Sequence, residues 1–403
     1  MKILIHTMYF LPEFGSAPIL MNELASYLAE KGHDVSVITT LPRQQNEIRY
    51  KKRFYLEERK NDFIVKRFWT NTGPSPMARL LAWSIYTLWT IFNIIKIHKG
   101  DIVFLRLPPL QLGVTGILAS KLKGAKVLLN IQDIHPDLSI ESGILRNPVA
   151  IKWAKAFEKW IYKNSDCIPV ISDGFKENLK DKGVPEVKIN VIPNWVDVNF
   201  LKPLPKDNNV AKRLALEKKF VVMHAGTITL SSFMCLENII DVARLLKDDN
   251  DILFAVVGEG MKKKNLMEKV QNLQLSNVQF IPFQPQDDLP YLLASSDVLI
   301  VPLDIDKSQL SVPSKLSNFM ATGRPILGLA HEDSETAKVI NESKCGVCIR
   351  PDNVDEIAKA IVNLKNSKDL RETFGNSGRQ YAEAHFAKEE VLDIYERLMI
   401  SSG

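Results

Sequence analysis

The chain has 403 residues, too many for one ordinary hydrophobic core, so two domains of similar size are expected. With 45% hydrophobic and 25% charged residues and no low-complexity tract, its composition is that of a folded globular protein, not a disordered or fibrous one. The formal net charge of +5 is mild, and the basic residues form no recognisable nucleic-acid-reading motif, which argues against a nucleic-acid binder.

The opening MKILIHTMYF reads as a strand and lacks the long apolar core and cleavage site of a signal peptide, which implies a protein that stays inside the cell. A helix is expected from about Pro18 to Lys31, followed by strands at DVSVITT and FIVKRFW. Basic residues concentrate next: Arg43, Arg49, Lys51, Lys52, Arg53, Arg59, Lys60, Lys66, Arg67, Arg79, Lys96 and Lys99 outnumber Glu47, Glu57, Glu58 and Asp62. From Leu80 to Ile95, LLAWSIYTLWTIFNII carries no charge but is shorter than the roughly 20 residues that cross a bilayer. It reads either as a buried domain helix or as a helix lying in a membrane interface, with Trp83, Tyr86 and Trp89 at the depth they prefer. The strand DIVFLRL, a further helix and the strand KVLLNIQD complete the first series.

VIPNWVDVNFLKPLPKDNN, rich in proline and asparagine, suits a linker. A second series of apolar strands follows at KFVVMHAG, DILFAVVGEG, VQFIPF, DVLIVPL, PILGLA and GVCIR. Strands of this buried type alternating with helices imply a parallel, doubly wound α/β sheet in each half. Two such Rossmann-like domains would face a central cleft, with ligands beyond the carboxyl ends of the strands. The last stretch, AEAHFAKEEVLDIYERLMI, has helical spacing. Of the cysteines Cys167, Cys235, Cys345 and Cys348, the last two form CGVC, but no second pair or nearby histidine completes a metal site, so reduced core thiols are expected.

Residues 311–328, SVPSKLSNFMATGRPILG, hold the sharpest chemical signal. A loop carrying Lys315 runs into a helix that stops at Gly323 before an apolar strand. A helix start beside a lysine is a place for an anion.

PEFG after the first strand, LAEKGHDVSVIT, PNWVD, HAG, VGEG and VPSK...MATGRPI, in this order over nearly the whole chain, resemble the GT-B glycosyltransferases of family 4. Within that family the chain is most similar to bacterial O-antigen, capsule and colanic-acid transferases, including the N-acetyl-L-fucosaminyl branch. The resemblance implies an acceptor-binding domain (1–195), a nucleotide-sugar-binding domain (196–380) and a C-terminal helix (381–403) returning to the first. It implies a UDP-sugar donor, retention of anomeric configuration, and no metal or other cofactor.

Carried onto this chain, the donor residues are Gly226 and Thr227 in the HAG turn, Glu259 in VGEG, Pro282 and Phe283 in IPFQP, and Leu310, Ser311, Ser314, Lys315 and Asn318 around the helix start. The family's second glycine of the HAG turn is replaced by Thr229, and the two glutamates of its E-x7-E motif by Leu310 and Asn318. Asn318 can hydrogen-bond a ribose hydroxyl; Leu310 cannot bond a sugar and would suit a deoxy sugar. Lys315 is then the expected charge partner of the diphosphate. In the first domain, Gly15 and Ser16 would place amides near the β-phosphate, and Glu13 and Asp137 would bind acceptor hydroxyls. His135 and Asp133 are the candidates for handling the acceptor proton. The tripeptide Asp304 to Asp306 mimics the metal-binding D-x-D of another fold and is read as chance.

The function implied is transfer of a sugar, N-acetyl-L-fucosamine or another deoxy or N-acetyl sugar, to a lipid-diphosphate-linked saccharide at the inner face of the cell membrane. The basic segment and apolar helix would dock on anionic lipid. The alternatives are a UDP-sugar 2-epimerase and a non-catalytic partner in polysaccharide assembly.

Overall fold

The structure, a computed structural model, describes all residues except 14, 43–49, 51–52, 61, 71–74, 142, 229, 261, 304–309, 311 and 403. The chain divides into two compact units: Met1–Pro193 with Val391–Gly403, and Asn194–Glu390.

The first unit is built on eight strands: β1 (Lys2–His6), β2 (Asp34–Thr40), β3 (Tyr55–Lys60), β4 (Phe63–Phe68), β5 (Ile102–Leu107), β6 (Lys126–Ile131), β7 (Ile168–Val170) and β8 (Ile189–Val191). Their order is β3-β4-β2-β1-β5-β6-β7-β8. Every pairing is parallel except the β3–β4 hairpin. All six residues of β5 are buried, as a parallel sheet covered on both faces requires. At the edge, β3 has the sequence YLEERK and alternates exposed with half-buried residues, a charged edge that resists pairing with another chain.

The apolar stretch folds as the helix Pro76–Phe92, capped by the Ser75 hydroxyl, which accepts from the Ala78 N–H. Ala82, Tyr86, Thr90 and Asn93 are buried, and Tyr86 donates to the Ile38 carbonyl at 2.6 Å. The opposite face leaves Met77, Leu80, Leu81, Leu88, Phe92 and Ile95 exposed. This corrects the expected orientation: Tyr86 is fixed in the core, Trp83 and Trp89 are half-buried, and the outward stripe is aliphatic apart from Phe92. Arg67, counted in the basic segment, is also buried, bound to Glu58 and the Leu11 carbonyl.

The second unit is a six-stranded parallel sheet: β9 (Phe220–Ala225), β10 (Ile252–Val257), β11 (Val278–Ile281), β12 (Val298–Pro302), β13 (Ile326–Leu329) and β14 (Gly346–Ile349), in the order β11-β10-β9-β12-β13-β14. The helix Lys368–His385 belongs here. A Cβ on Gly375 would lie 2.1 Å from the Gly323 carbonyl oxygen, and one on Gly378 2.9 Å from the Cys345 Cβ, so these two glycines permit its close approach. The chain rejoins the first unit at Val391, on the helix Lys388–Ser402. There Tyr395 stacks edge-on to Phe104 with centroids 5.8 Å apart and accepts from Asn130 Nδ2 at 2.8 Å. Tyr27 bonds Asp393, and His33 bonds Glu396 at 2.9 Å.

Candidate active site

In a doubly wound sheet the crevice for a ligand opens where strand order reverses, between β9 and β12 in the second unit and between β1 and β5 in the first. In the second unit the chain leaves β9 at Gly226 and β10 at Gly258, with φ of 141° and 137°, backbone that L side chains rarely adopt. The two turns knit together. Gly226 N–H donates to the Val257 carbonyl at 3.0 Å, and Ile228 N–H to the Glu259 carbonyl at 2.9 Å.

Lys315 comes in over this pair of turns from the first turn of the helix Ser314–Ala321, whose N-terminus has Pro313 and no side-chain cap. Its Nζ lies 3.4 Å from where a Cβ on Gly226 would stand. Loss of hydration lowers its pKa to about 8. Nearby lie the buried His224, kept neutral by burial and by the lysine's charge, and Cys235, whose thiol donates to the Leu303 carbonyl at 2.8 Å. Among the described residues, no hydrogen bond or ion pair engages the three N–H donors of Lys315.

The other donor candidates fall around this point. Thr227 is exposed just past the turn. The Gly226 amide is spent within the fold, so Gly226 contributes through its missing side chain, which gives Lys315 its space. Glu259 is exposed and paired with Lys263 at 2.7 Å. Pro282 carbonyl accepts from Gln284 Nε2 at 3.0 Å, which leaves one of its two lone pairs for a base edge. Phe283 is 54% exposed, its ring 3.5 Å from the Cβ position of Gly258, and so offers a face to a planar ligand. Asn318 stands one turn on from Ser314, half-buried, and Leu310 is half-buried before the helix. Ser311, Thr229 and the Asp304–Asp306 tripeptide lie outside the described residues.

In the first unit, Gly15, with φ 126°, precedes the helix Ser16–Glu30 without a side-chain cap; Gly15 and Ser16 are exposed and Glu13 half-buried. Beyond β6, His135 Nδ1 lies 3.0 Å from the Ser139 hydroxyl and its ring meets Trp83 edge-on at 6.0 Å. Burial lowers its pKa, with Asp137 opposing. Asp137 itself is held by Lys182 at 2.7 Å, which also pairs with the buried Glu158 at 2.6 Å. An acceptor hydroxyl at Asp137 would have to compete with that ion pair, so Asp137 is foremost a structural residue. Asp133 keeps an accessible face, yet the protein packed around it raises its carboxyl to about 6, with Arg106 opposing. Sequence reasoning passed over Arg106 and His224. The signal for Arg106 was present: a single charge inside the apolar run IVFLRL.

Residues 206–381 match the family described as Glycosyl transferases group 1, and residues 17–195 match the Glycosyl transferase 4-like domain. The chain is a GT-B glycosyltransferase of the group 1, family 4 type. It is 28% identical to the Escherichia coli K12 protein "Putative colanic acid biosynthesis glycosyl transferase WcaI" over 97% of this chain and 98% of that one. It is 23% identical to an E. coli UDP-Gal:α-D-GlcNAc-diphosphoundecaprenol α-1,3-galactosyltransferase over 70% of this chain and 71% of that one. Anabaena HepE, solved in complex with UDP-glucose, shares the fold of this glycosyltransferase over 100% of both chains, with a TM-score of 0.73 and 16% identity. The thiols of Cys345 and Cys348 are unpaired and pushed up to about 11 by burial, and the described residues contain no cluster of metal-ligating side chains.

Proposed function

We propose that this glycosyltransferase moves a sugar from a UDP-linked donor, held by the second unit, to a saccharide carried on a lipid diphosphate, held by the first, during synthesis of a surface polysaccharide. The observation that carries the reading is Lys315: a half-buried ammonium, without a partner among the described residues, beside a turn whose glycine leaves it room. A cation that has lost part of its hydration favours an anion beside it, and a diphosphate at a strand-to-helix crevice would supply one. HepE, solved with UDP-glucose, and the diphosphoundecaprenol transferase, whose name gives its acceptor, support the two substrate classes.

In this reading the bond from the anomeric carbon to the β-phosphate oxygen breaks, the acceptor oxygen attacks from the same face, and the departing phosphate takes the acceptor proton. Configuration is retained. Lys315 and the exposed Thr227 turn stabilise the charge that develops on UDP. Phe283 covers the base, and Asn318 meets the ribose. Lys315 supplies the positive charge, so the transfer needs no metal or cofactor. Leu310, where the family has a glutamate, favours a sugar with a methyl in place of a hydroxyl, such as N-acetyl-L-fucosamine. In the first unit Glu13 would hold the acceptor, Gly15 and Ser16 would offer amides to the donor's β-phosphate, and Asp133 and His135 are the candidates for handling the acceptor proton.

A lipid-borne acceptor places the protein on the cytoplasmic face of the membrane. Two surfaces support this: the outward stripe of the helix Pro76–Phe92, and the helix Pro148–Asn164, which exposes Val149, Trp153 and Trp160 among Lys152, Lys155, Lys159 and Lys163. The test is UDP release from UDP-N-acetyl-L-fucosamine, UDP-N-acetylglucosamine and UDP-glucose, with and without a lipid-diphosphate-sugar acceptor, for wild type and Lys315→Ala. Release that needs both one donor and the acceptor, and is lost in the variant, is expected; no release from any donor overturns the reading.

A further inference from the structure

Arg106 is the penultimate residue of β5, at the first unit's own reversal of strand order. Its backbone lies opposite Asn130 of β6, and the preceding Leu105 pairs with His6 of β1. Only 8% of its surface is exposed, and its Nε is buried with no partner. Neither terminal nitrogen makes a hydrogen bond among the described residues. Arg67 and the half-buried Arg324 also leave one nitrogen each without a partner, but spend others within the fold: Arg67 bonds Glu58 and the Leu11 carbonyl, and Arg324 bonds the Leu204 and Ala294 carbonyls at 2.9 and 2.7 Å, whereas Arg106 spends none. A guanidinium with five donors and none engaged is costly to bury unless a ligand completes it. Asp133, Tyr9 and Tyr395 favour its charge through space, but none of them bonds it.

We propose that Arg106 is the anion anchor of the acceptor: its planar fork binds a phosphate-class oxyanion at the carboxyl edge of the first sheet, beside Asp133. This rests on the reading of the first unit as the acceptor side. It deepens that reading, because it requires the acceptor to carry its phosphate close to the hydroxyl that reacts. An arginine at such a site recognises a phosphate in two-point fashion, which lysine cannot match. Asp133, as the neighbouring carboxylate, opposes the anion and so sets how tightly it is held.

The test is calorimetric titration of inorganic pyrophosphate into the full chain carrying Lys315→Ala, so that the second unit's cation does not contribute. Binding is expected, weakened tenfold or more by adding Arg106→Gln. Asp133→Asn, which removes the opposing charge, is expected to tighten it several-fold and keeps the proposal testable if the glutamine variant fails to fold. A soluble prenyl-diphosphate-linked N-acetylglucosamine should compete with pyrophosphate, and free N-acetylglucosamine should not. No pyrophosphate binding, affinity unchanged by Arg106→Gln, or affinity lowered or unmoved by Asp133→Asn overturns the proposal; failure of the prenyl compound to compete overturns the assignment to the acceptor. UDP affinity in Arg106→Gln with Lys315 intact is expected to match wild type, which separates failure of this anchor from failure of the donor site.

Discussion

Lys315 and Gly226 share one space: a methyl group at residue 226 would stand 3.4 Å from the lysine Nζ, on a backbone already at φ 141°. Gly226→Ala therefore both strains the turn and pushes the ammonium away from its post. UDP affinity is expected to fall about tenfold, or ~1.4 kcal/mol, by calorimetry. Lys315→Ala should cost more in turnover than in binding, because its charge matters most as UDP departs. A loss of ~10²–10³ in kcat is expected from steady-state UDP release.

The same lysine gives two pH dependences of opposite sign. Burial lowers its pKa from 10.5 to about 8, so between these values the unfolded chain holds a proton that the folded chain has lost. Without UDP, this group's contribution makes stability rise as pH goes from 8 to 10.5. UDP, by contrast, binds the charged form, so once its own phosphate is fully ionised, above about pH 7, its affinity should hold up to pH 8 and fall beyond it. Thermal denaturation without nucleotide and calorimetry with UDP check the two halves, and both dependences should vanish in Lys315→Ala.

Gly258 is the stricter of the two turn glycines. A Cβ there would lie 2.0 Å from the Gly226 carbonyl oxygen, which is backbone and cannot rotate away, and the φ of 137° adds strain. Gly258→Ala is expected to cost at least ~1–3 kcal/mol, seen as a lower urea midpoint, and to weaken UDP binding with it. A variant as stable as wild type with unchanged UDP affinity would show that the two turns are not braced against each other.

The six strands of the second unit were legible because each is an apolar run bounded by turn residues. In the first unit β3 was not, since YLEERK has no apolar face to bury; its partner is β4, and its own edge meets water. Strands β7 and β8 have three residues each, too few for a pattern. The donor loop was legible by its lysine and glycines, but which group each supplies was not: only the hydrogen bond from Gly226 to Val257 shows that the glycine contributes space and not an amide. Likewise the ion pair that Lys182, 45 positions on, makes with Asp137 could not be read from the residues around Asp137. Long-range pairings of this kind leave no local trace in a sequence.

Tyr395 ties the chain's end into the first sheet. Its hydroxyl accepts from Asn130 in a buried setting, and its ring covers Phe104. Tyr395→Phe keeps the ring and leaves the Asn130 amide short of an acceptor, at a cost of ~1–3 kcal/mol. Tyr395→Ala also opens a cavity and should cost ~3–5 kcal/mol, by analogy with large aromatic truncations. Urea denaturation resolves both, and UDP affinity, which the proposed function assigns to the other unit, should stay as it was.

The outward stripe of the helix Pro76–Phe92 separates membrane docking from folding in a single experiment. Leu88 and Ile95 are exposed while Tyr86 before them and Thr90 and Asn93 between them are buried, so Leu88→Glu with Ile95→Glu changes the surface without touching the core. Stability should move by less than ~0.5 kcal/mol per site. On an anionic bilayer the two new carboxylates would be repelled by lipid phosphate and would forfeit apolar area. Sedimentation with phosphatidylglycerol vesicles should therefore lose most of the bound protein, while turnover on a detergent-dispersed acceptor stays near wild type. Equal sedimentation of both proteins would place the membrane contact elsewhere, with Trp153 and Trp160 of the helix Pro148–Asn164 as the next pair to change.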